Sequence, residues 1–174
     1  YASGMLATLA AFYAGAGKRS AGGRIIGGTQ DNGSLAYSAG TNWVTWAGGD
    51  GGYSAVDPID DSTYYGQYVY LSIHRVMNGG TRQYICAGIT EGLTGVTGQP
   101  YCGANATQKA NFIAPFILDP NNRERMLAGA NSLWASNNVK DPTPTWAAIK
   151  PPIGGDAGTN YINAEVEPWI DANP

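Results

Sequence analysis

The sequence has little charge and a single histidine. Only 13% of its 174 residues are charged, the net charge is −3, and no basic cluster is larger than Lys18 and Arg19. Because nucleic-acid-binding domains carry clustered basic residues, we expect no nucleic-acid partner. One histidine (His74) without regularly spaced acids does not make a zinc or EF-hand motif. No phosphate-binding or dinucleotide-binding loop occurs either, so we expect neither a metal site nor a cofactor.

Long apolar runs are also missing. The longest run, residues 5–16, is broken by Gly15 and is shorter than the roughly 18 residues that a spanning helix needs. The nearest basic residues follow this run, whereas in a signal peptide they precede it. We therefore expect no membrane insertion, and we interpret the chain as a mature protein whose signal, if it had one, has been removed.

Turn-forming and aromatic residues are abundant instead. The chain has 25 glycines and 10 prolines, together with 11 tyrosines and 5 tryptophans. Glycine and proline favour turns, and aromatic side chains favour strands. This composition excludes coiled coils and helix bundles and predicts a single all-β domain, in which 43% hydrophobic residues suffice for a core.

Degenerate repeats run along this sequence. A first short strand that ends in an acid and a proline occurs at residues 54–58, 116–120 and 163–168. A second strand occurs at 24–28, 63–66 and 125–129, and a third at 34–38, 71–75 and 132–136. Tryptophan-bearing fourth strands occur at 43–46 and 145–149. Four short strands joined by Gly, Asn and Asp turns are typical of a propeller blade.

We therefore predict a β-propeller of four-stranded antiparallel blades, with about three blades and part of a fourth in one segment spanning residues 1–174. The predicted units are residues 9–46, 47–110, 111–151 and, incomplete, 153–174. Propellers need about 4–8 blades to close. We expect the chain either to be a segment of a longer protein or to close a ring or build a fibre by self-association of its open blade faces.

Several glycine- and asparagine-rich runs resemble a known superfamily. They are GGTQDNG at 27–33, GGDGG at 48–52, LDPNN at 118–122 and LAGANSLW at 127–134. Their order and spacing resemble those of secreted propellers of the BNR and sortilin-like superfamily over residues 24–170. The resemblance implies a propeller fold. It leaves function open, because such propellers include glycosidases, sialidase-like proteins and binding modules. The Asp-box turn of the superfamily survives only as degraded traces at 77–80 and 136–138.

The two cysteines, Cys86 and Cys102, enclose a segment rich in glycine and threonine. A disulfide that closes this loop would contribute about 3 kcal/mol in the chain-entropy model. We predict this disulfide and an extracellular location, because few lysines and many Tyr, Gly and Asn residues are typical of secreted proteins. Two unrelated buried thiols are the alternative.

Two acidic residues in predicted turns are candidates for catalysis. Asp31 lies between the second and third strands of the first unit, and Asp50 lies in the connection to the second unit. Both should therefore face the same end of the propeller, and a carboxylate pair is what a glycosidase needs. Ordinary turn chemistry is the alternative for both residues and for Asp156, which repeats the Asp50 position two blades later. Similarly, Asp57, Asp60 and Asp61 are expected to form an ordinary turn.

The turn TQDNG at 29–33 also resembles the turn that carries catalytic aspartates in propeller-type xyloglucan-cleaving endoglucanases. The resemblance implies that Asp31 is one catalytic carboxylate. The corresponding turns of the second and third units contain no acid, so its partner is expected in a blade that this sequence does not contain.

Aromatic residues are predicted to surround the same turns, and exposed aromatic rings can stack on a sugar or on a protein. These candidate binding residues are Trp43, Trp46, Tyr53, Tyr68 and Tyr70. Packing between blades is the alternative for them. We predict an extracellular binding or scaffolding module for a polysaccharide or protein ligand. The alternatives are a propeller-type glycoside hydrolase and a self-assembling structural subunit, so the sequence does not decide whether the chain is an enzyme.

Overall fold

The computed structural model describes residues 12–17, 23–39 and 42–150 of the chain. These residues form twelve β-strands and no helix, so none of them belongs to a helix that could cross a membrane. The strands are β1 (Phe12–Gly17), β2 (Ile25–Thr29), β3 (Gly33–Ala39), β4 (Asn42–Ala47), β5 (Ser54–Val56), β6 (Tyr64–Gln67), β7 (Ile73–Val76), β8 (Gln83–Tyr84), β9 (Phe116–Leu118), β10 (Met126–Gly129), β11 (Leu133–Ser136) and β12 (Ala147–Lys150).

The strands form three antiparallel sheets of four, each in simple sequence order. Sheet 1 contains β1 to β4, sheet 2 contains β5 to β8, and sheet 3 contains β9 to β12. This confirms the predicted all-β class and the antiparallel four-stranded sheets. The first strands are neighbours, since β5 contacts both β1 and β9, as expected when blades stack side by side. The predicted unit at 153–174 lies outside the described residues, and the division into units stays a prediction.

Each sheet has two ends, which carry different connections. One end carries the β2–β3, β6–β7 and β10–β11 turns and the β4–β5 and β8–β9 connections, and we call it the mouth end. The opposite, base end carries the β5–β6 and β9–β10 turns and the β3–β4, β7–β8 and β11–β12 connections. Because consecutive strands run antiparallel, every second connection must lie at the same end.

Glycines allow the chain to pass from sheet 1 to sheet 2 at the mouth end. A Cβ on Gly51 would lie 2.3 Å from the Gly33 carbonyl oxygen, and a Cβ on Gly33 would lie 2.0 Å from the Ala47 carbonyl oxygen. Gly33 also has a φ of +80°, which favours glycine. Gly33 and Gly51 therefore lie where two backbones touch each other and where a side chain would clash.

The repeated acid before proline fixes the turn after the first strand. In sheet 2, Asp57 Oδ1 accepts hydrogen bonds from the backbone N–H groups of Ile59 (2.8 Å) and Asp60 (3.0 Å). In sheet 3, Asp119 Oδ1 accepts the N–H groups of Asn121 (2.8 Å) and Asn122 (3.2 Å). Both are Asx turns, in which the side chain replaces a backbone acceptor. The sequence repeat thus marks a repeated turn.

Within the described residues, two hydrophobic cores lie between the sheets. The larger joins sheets 2 and 3 and includes Tyr65, Leu71, Ile73, Ile85, Phe116, Met126 and Trp134. The smaller joins sheets 1 and 2 and contains Ile26, Ala36, Tyr64 and Val76, with Trp46 and Val56 packed against it. Burial of these side chains, at about 25 cal/mol per Å² of apolar surface, drives the sheets together.

Charged groups join sheets 2 and 3 at the base end. Asp57 is fully buried and forms ion pairs with Lys140, which donates a close hydrogen bond, and with Arg123 at 3.4 Å. Burial opposes ionisation of Asp57, but bonds from Lys140 and two backbone N–H groups outweigh it, so its pKa lies below the ordinary value. Arg75 is equally buried and donates hydrogen bonds to the carbonyls of Val139 and Asp141.

Candidate functional site

The connection between β8 and β9 covers the mouth end of sheets 2 and 3. This segment, residues 85–115, is called the insertion below, and its Cys86 and Cys102 form a disulfide with a Cα–Cα distance of 4.6 Å. The disulfide confirms the sequence prediction. The Tyr70 N–H donates to the Phe112 carbonyl (3.0 Å), which ties the insertion to the β6–β7 turn. The insertion therefore belongs to the mouth end.

The structure brings Asp31 and Asp50 together at this end. The backbone N–H of Asp31 donates to Asp50 Oδ1 at 3.0 Å, and Asp31 has a left-handed φ of 61°. The Gly51 N–H donates to the Thr29 carbonyl at 2.8 Å, which fixes the β4–β5 connection against β2. Asp31 is exposed and Asp50 is half-buried, so this pair of acids stabilises a turn and remains accessible to solvent.

Tyr68 lies against Gly49, the residue before Asp50, and two further tyrosines pack around it. The Tyr68 ring lies so close to Gly49 that a Cβ there would be 2.6 Å from Tyr68 Cε2. Tyr68 stacks on Tyr101 of the insertion, with ring centroids 6.2 Å apart, and Tyr84 meets Tyr101 edge-on at 5.1 Å. Burial, then Tyr101 and Asp50, raises the pKa of Tyr68. The hydroxyl of Tyr68 therefore stays protonated at neutral pH and can donate a hydrogen bond.

Bulky residues adopt left-handed backbone conformations at the mouth end. Tyr70 and Leu71 have φ values of 49° and 54°, and Tyr101 has a φ of 37°. Such conformations are rare for large side chains and persist only where surrounding contacts fix them. Here the Ser72 N–H donates to the Val69 carbonyl (2.9 Å), and Leu71 is completely buried. Strained backbone in the β6–β7 turn and in the insertion thus places Tyr70 and Tyr101 at the surface of the mouth end.

The five aromatic residues predicted to bind do not form one cluster. Tyr68 and Tyr70 lie on the β6–β7 turn, and Tyr53 packs partly buried against the larger core. Trp46 lies between sheets 1 and 2, edge-on to neighbouring rings 4.9 Å away. Trp43 is 42% exposed on β4 near the base end. The predicted Asp156 lies outside the described residues.

Sequence reasoning did not identify Tyr84, Tyr101 or Glu91. Tyr101 meets Tyr68 and Tyr84 of sheet 2 only because the insertion folds back over that sheet. Glu91 is buried and accepts hydrogen bonds from the Ser132 N–H (2.9 Å) and Trp134 Nε1 (2.9 Å), with the Ser132 hydroxyl at 3.2 Å. The only sequence signal was the proximity of Tyr101 to Cys102, because the described partners of the Glu91 carboxylate are more than forty residues away.

His74 is completely buried on β7, between Trp46 and Tyr84. Burial, with the positive charge of Arg82, lowers its pKa to about 3. Within the described residues, neither ring nitrogen has a hydrogen-bond partner, and no group of three metal-ligating side chains occurs. His74 is therefore a neutral part of the contact between sheets 1 and 2.

One of three comparisons with known proteins supports the fold. No protein-family model matches the sequence, and no curated protein matches it. A solved structure, the GH74 xyloglucanase from Xanthomonas campestris, matches with a TM-score of 0.51 and 15% sequence identity. The match covers 79% of this chain and 23% of the xyloglucanase. The fold is of the propeller type. At this identity the match shows the fold alone, and the BNR and sortilin-like type stays a prediction.

Proposed function

We propose that the mouth end of this chain is an extracellular carbohydrate-binding face. The carrying observation is the half-buried Tyr68–Tyr101 pair beside Asp50. Tyrosine rings offer a flat apolar surface for the C–H face of a sugar, and their hydroxyls provide polar contacts at its edge. The Asp50 carboxylate supplies an acceptor for sugar hydroxyls. A polysaccharide offers both kinds of surface in each of its units.

We also propose an extracellular location for the protein and a place for its three sheets in a larger propeller. A buried disulfide is typical of proteins folded in an oxidising compartment, which supports an extracellular site of action. We assign the three sheets to one propeller segment of the BNR and sortilin-like type, whose remaining blades come from a longer chain or from further copies. The adjacent first strands and the repeated Asx turns support this assignment.

Binding of soluble xyloglucan and of unsubstituted β-glucans, measured by calorimetry, tests the proposal. Because buried aromatic anchors dominate binding energies, Tyr101→Ala should weaken binding at least tenfold, which is about 1.4 kcal/mol. Trp43→Ala is the matched control, since it removes an exposed aromatic ring near the base end. Equal losses for the two variants would contradict the proposal. Absence of binding to every glycan would favour a protein ligand for this face.

A glycoside hydrolase is the second candidate, because the structure joins Asp31 to Asp50 and resembles a xyloglucanase. Asp31→Asn suits the left-handed backbone, and Asp50→Asn keeps an oxygen that accepts the Asp31 N–H. Both variants should therefore fold. If these carboxylates act as acid and base, each variant should lower xyloglucan hydrolysis at least a hundredfold, measured as reducing ends released. A wild-type protein that binds but never cleaves would exclude this candidate.

A further inference from the structure

Glu91 connects the insertion to sheet 3. Its carboxylate is buried and receives three hydrogen bonds from the Ser132 N–H, the Ser132 hydroxyl and Trp134 Nε1. Its own carbonyl accepts the Ala110 N–H at 2.9 Å, so Glu91 also holds the later part of the insertion. These hydrogen bonds hold the insertion on sheet 3 firmly, because removal of the Glu91 carboxylate would leave several buried donors without partners.

The attachment at Glu91 continues through direct contacts to Tyr101. Gly92 packs against the disulfide so closely that a Cβ there would lie 2.6 Å from Cys102 Sγ. The Cys102 N–H donates to the Leu93 carbonyl at 3.2 Å, and the Gly103 N–H donates to the Pro100 carbonyl at 2.9 Å. Tyr101 stands within this last turn, in a left-handed conformation. Its ring position on Tyr68 thus depends on the segment that Glu91 anchors.

We propose that Glu91 is a positioning residue for ligand binding: through the Cys86–Cys102 disulfide it holds Tyr101 against Tyr68. The inference rests on the proposed carbohydrate-binding function. Glu91 itself touches no ligand, since Ser132 and Trp134 occupy its carboxylate. The binding face beside sheets 1 and 2 is therefore maintained from sheet 3, so a change at the β10–β11 turn alters affinity at a site formed by other sheets.

The first test needs no ligand and measures how fast tetranitromethane nitrates Tyr101, followed by peptide mass spectrometry. Glu91→Ala should raise the nitration rate of Tyr101 several-fold, because the ring is released from its stack. Glu91→Gln should leave the rate unchanged, since the amide oxygen accepts the same N–H groups and the amide nitrogen can donate to the Ser132 hydroxyl. Tyr37, on sheet 1, is the internal reference.

The second test is a double-mutant cycle on the affinity for the glycan that the wild type binds. Glu91→Ala should weaken binding roughly tenfold, as Tyr101→Ala does, and the double variant should bind no more weakly than Tyr101→Ala alone. Glu91→Gln should restore wild-type affinity. If Glu91→Ala unfolds the protein, Trp134→Phe replaces it, because this variant removes one donor to Glu91 and keeps an aromatic ring. Trp134→Phe should lower the affinity by less than Glu91→Ala would. In the Tyr101→Ala background it should cause no further loss of affinity.

The outcomes separate the two proposals. Losses that add in the double variant, or an unchanged nitration rate in Glu91→Ala, would overturn the positioning role of Glu91. A wild-type protein that binds no glycan would overturn the proposed function and the affinity part of this inference, whereas the nitration rates would still decide whether Glu91 positions Tyr101.

Discussion

The two contacts between neighbouring sheets are built in different ways. Sheets 2 and 3 share the larger core, and the charged groups buried between them have partners: Lys140 for Asp57 and two backbone carbonyls for Arg75. Sheets 1 and 2 share the smaller core, and there Trp46 Nε1 and both nitrogens of His74 are buried without a hydrogen-bond partner among the described residues, whereas the larger core has one such atom, the Tyr65 hydroxyl oxygen. Unpaired buried polar groups cost about 1–3 kcal/mol each, so the second contact is the less favourable.

This difference bears on the candidate site, which draws residues from both contacts. Asp31 and Asp50 lie on the connection between sheets 1 and 2, whereas Tyr101 belongs to the insertion that sheet 3 anchors. Local opening follows the weakest contacts in a protein. We therefore expect sheet 1 to separate from sheet 2 at a lower free energy than sheet 2 from sheet 3. Three substitutions test this comparison.

The largest effect is expected for Asp57→Ala. Removing one partner of a buried ion pair costs about 3–5 kcal/mol of unfolding free energy. Without Asp57, Lys140 would keep only the more distant Glu124 carboxylate, at 4.0 Å, among its described ion-pair partners. Asp119→Ala is the matched control, because Asp119 caps the same turn in sheet 3 and has no ion pair among the described contacts. It should cost about 1–2 kcal/mol, because it removes two turn hydrogen bonds. Urea unfolding measures both, and equal losses would refute the special role of Asp57.

The second effect is a pH dependence caused by His74. Its pKa is about 3 in the folded protein and about 6.5 in the unfolded chain. Between these values the unfolded chain binds the extra proton, so stability falls as the pH is lowered, by about 1.4 kcal/mol per pH unit. His74→Phe should flatten this slope between pH 6.5 and 5. That range lies above the titration of Asp57 and Asp60, whose pKa values are lowered.

Unfolding in urea at several pH values between 5 and 6.5 provides the measurement. A wild-type slope that His74→Phe leaves unchanged would assign the pH dependence to other groups. At neutral pH, His74→Phe should be neutral or stabilising, because it replaces a buried polar ring that lacks hydrogen-bond partners with an apolar one of similar size.

The sequence predicted the repeated part of the fold well. Strands were predicted from Gly, Asn and Asp turns and from acids before proline, and Asp57 and Asp119 now have a physical role in those turns. The disulfide was predictable because Cys86 and Cys102 enclose a glycine- and threonine-rich loop in a chain whose composition is typical of secreted proteins. Asp31 and Asp50 were placed at the same end by strand order alone, since antiparallel connections alternate between ends.

The aromatic part of the site could not be predicted in the same way. A strand pattern indicates which residues share a face, but it does not indicate which face meets another sheet. Trp46 packs between sheets, and Trp43 lies exposed near the base end. Tyr101 reaches Tyr68 from an irregular insertion whose path depends on Glu91 and on residues far away in sequence. Local sequence rules carry no information about such contacts.

The smallest effect is expected for Arg24→Ala at the contact of sheets 1 and 2. Arg24 Nε donates to the Asp61 carbonyl at 2.7 Å, and the guanidinium lies 4.5 Å from the Tyr64 ring centroid. A partly exposed contact of this kind contributes about 1 kcal/mol. Arg82→Ala is the control, because Arg82 is exposed and lies over Tyr84 of its own sheet. A larger loss for Arg82→Ala would contradict the expected role of Arg24 between sheets.

Combining Arg24→Ala with Asp57→Ala shows whether the contact of sheets 1 and 2 and the contact of sheets 2 and 3 stabilise the protein independently. The β5–β6 turn is held from both sides, because its Asp61 receives Arg24 of sheet 1 while its Asp57 receives Lys140 of sheet 3. If Asp57→Ala loosens this turn, the Arg24 contact is already weakened in that background. The double variant should then lose less than the sum of the single losses, by about 0.5 kcal/mol or more in urea unfolding. Strict additivity would mean that each contact between sheets stabilises the protein independently.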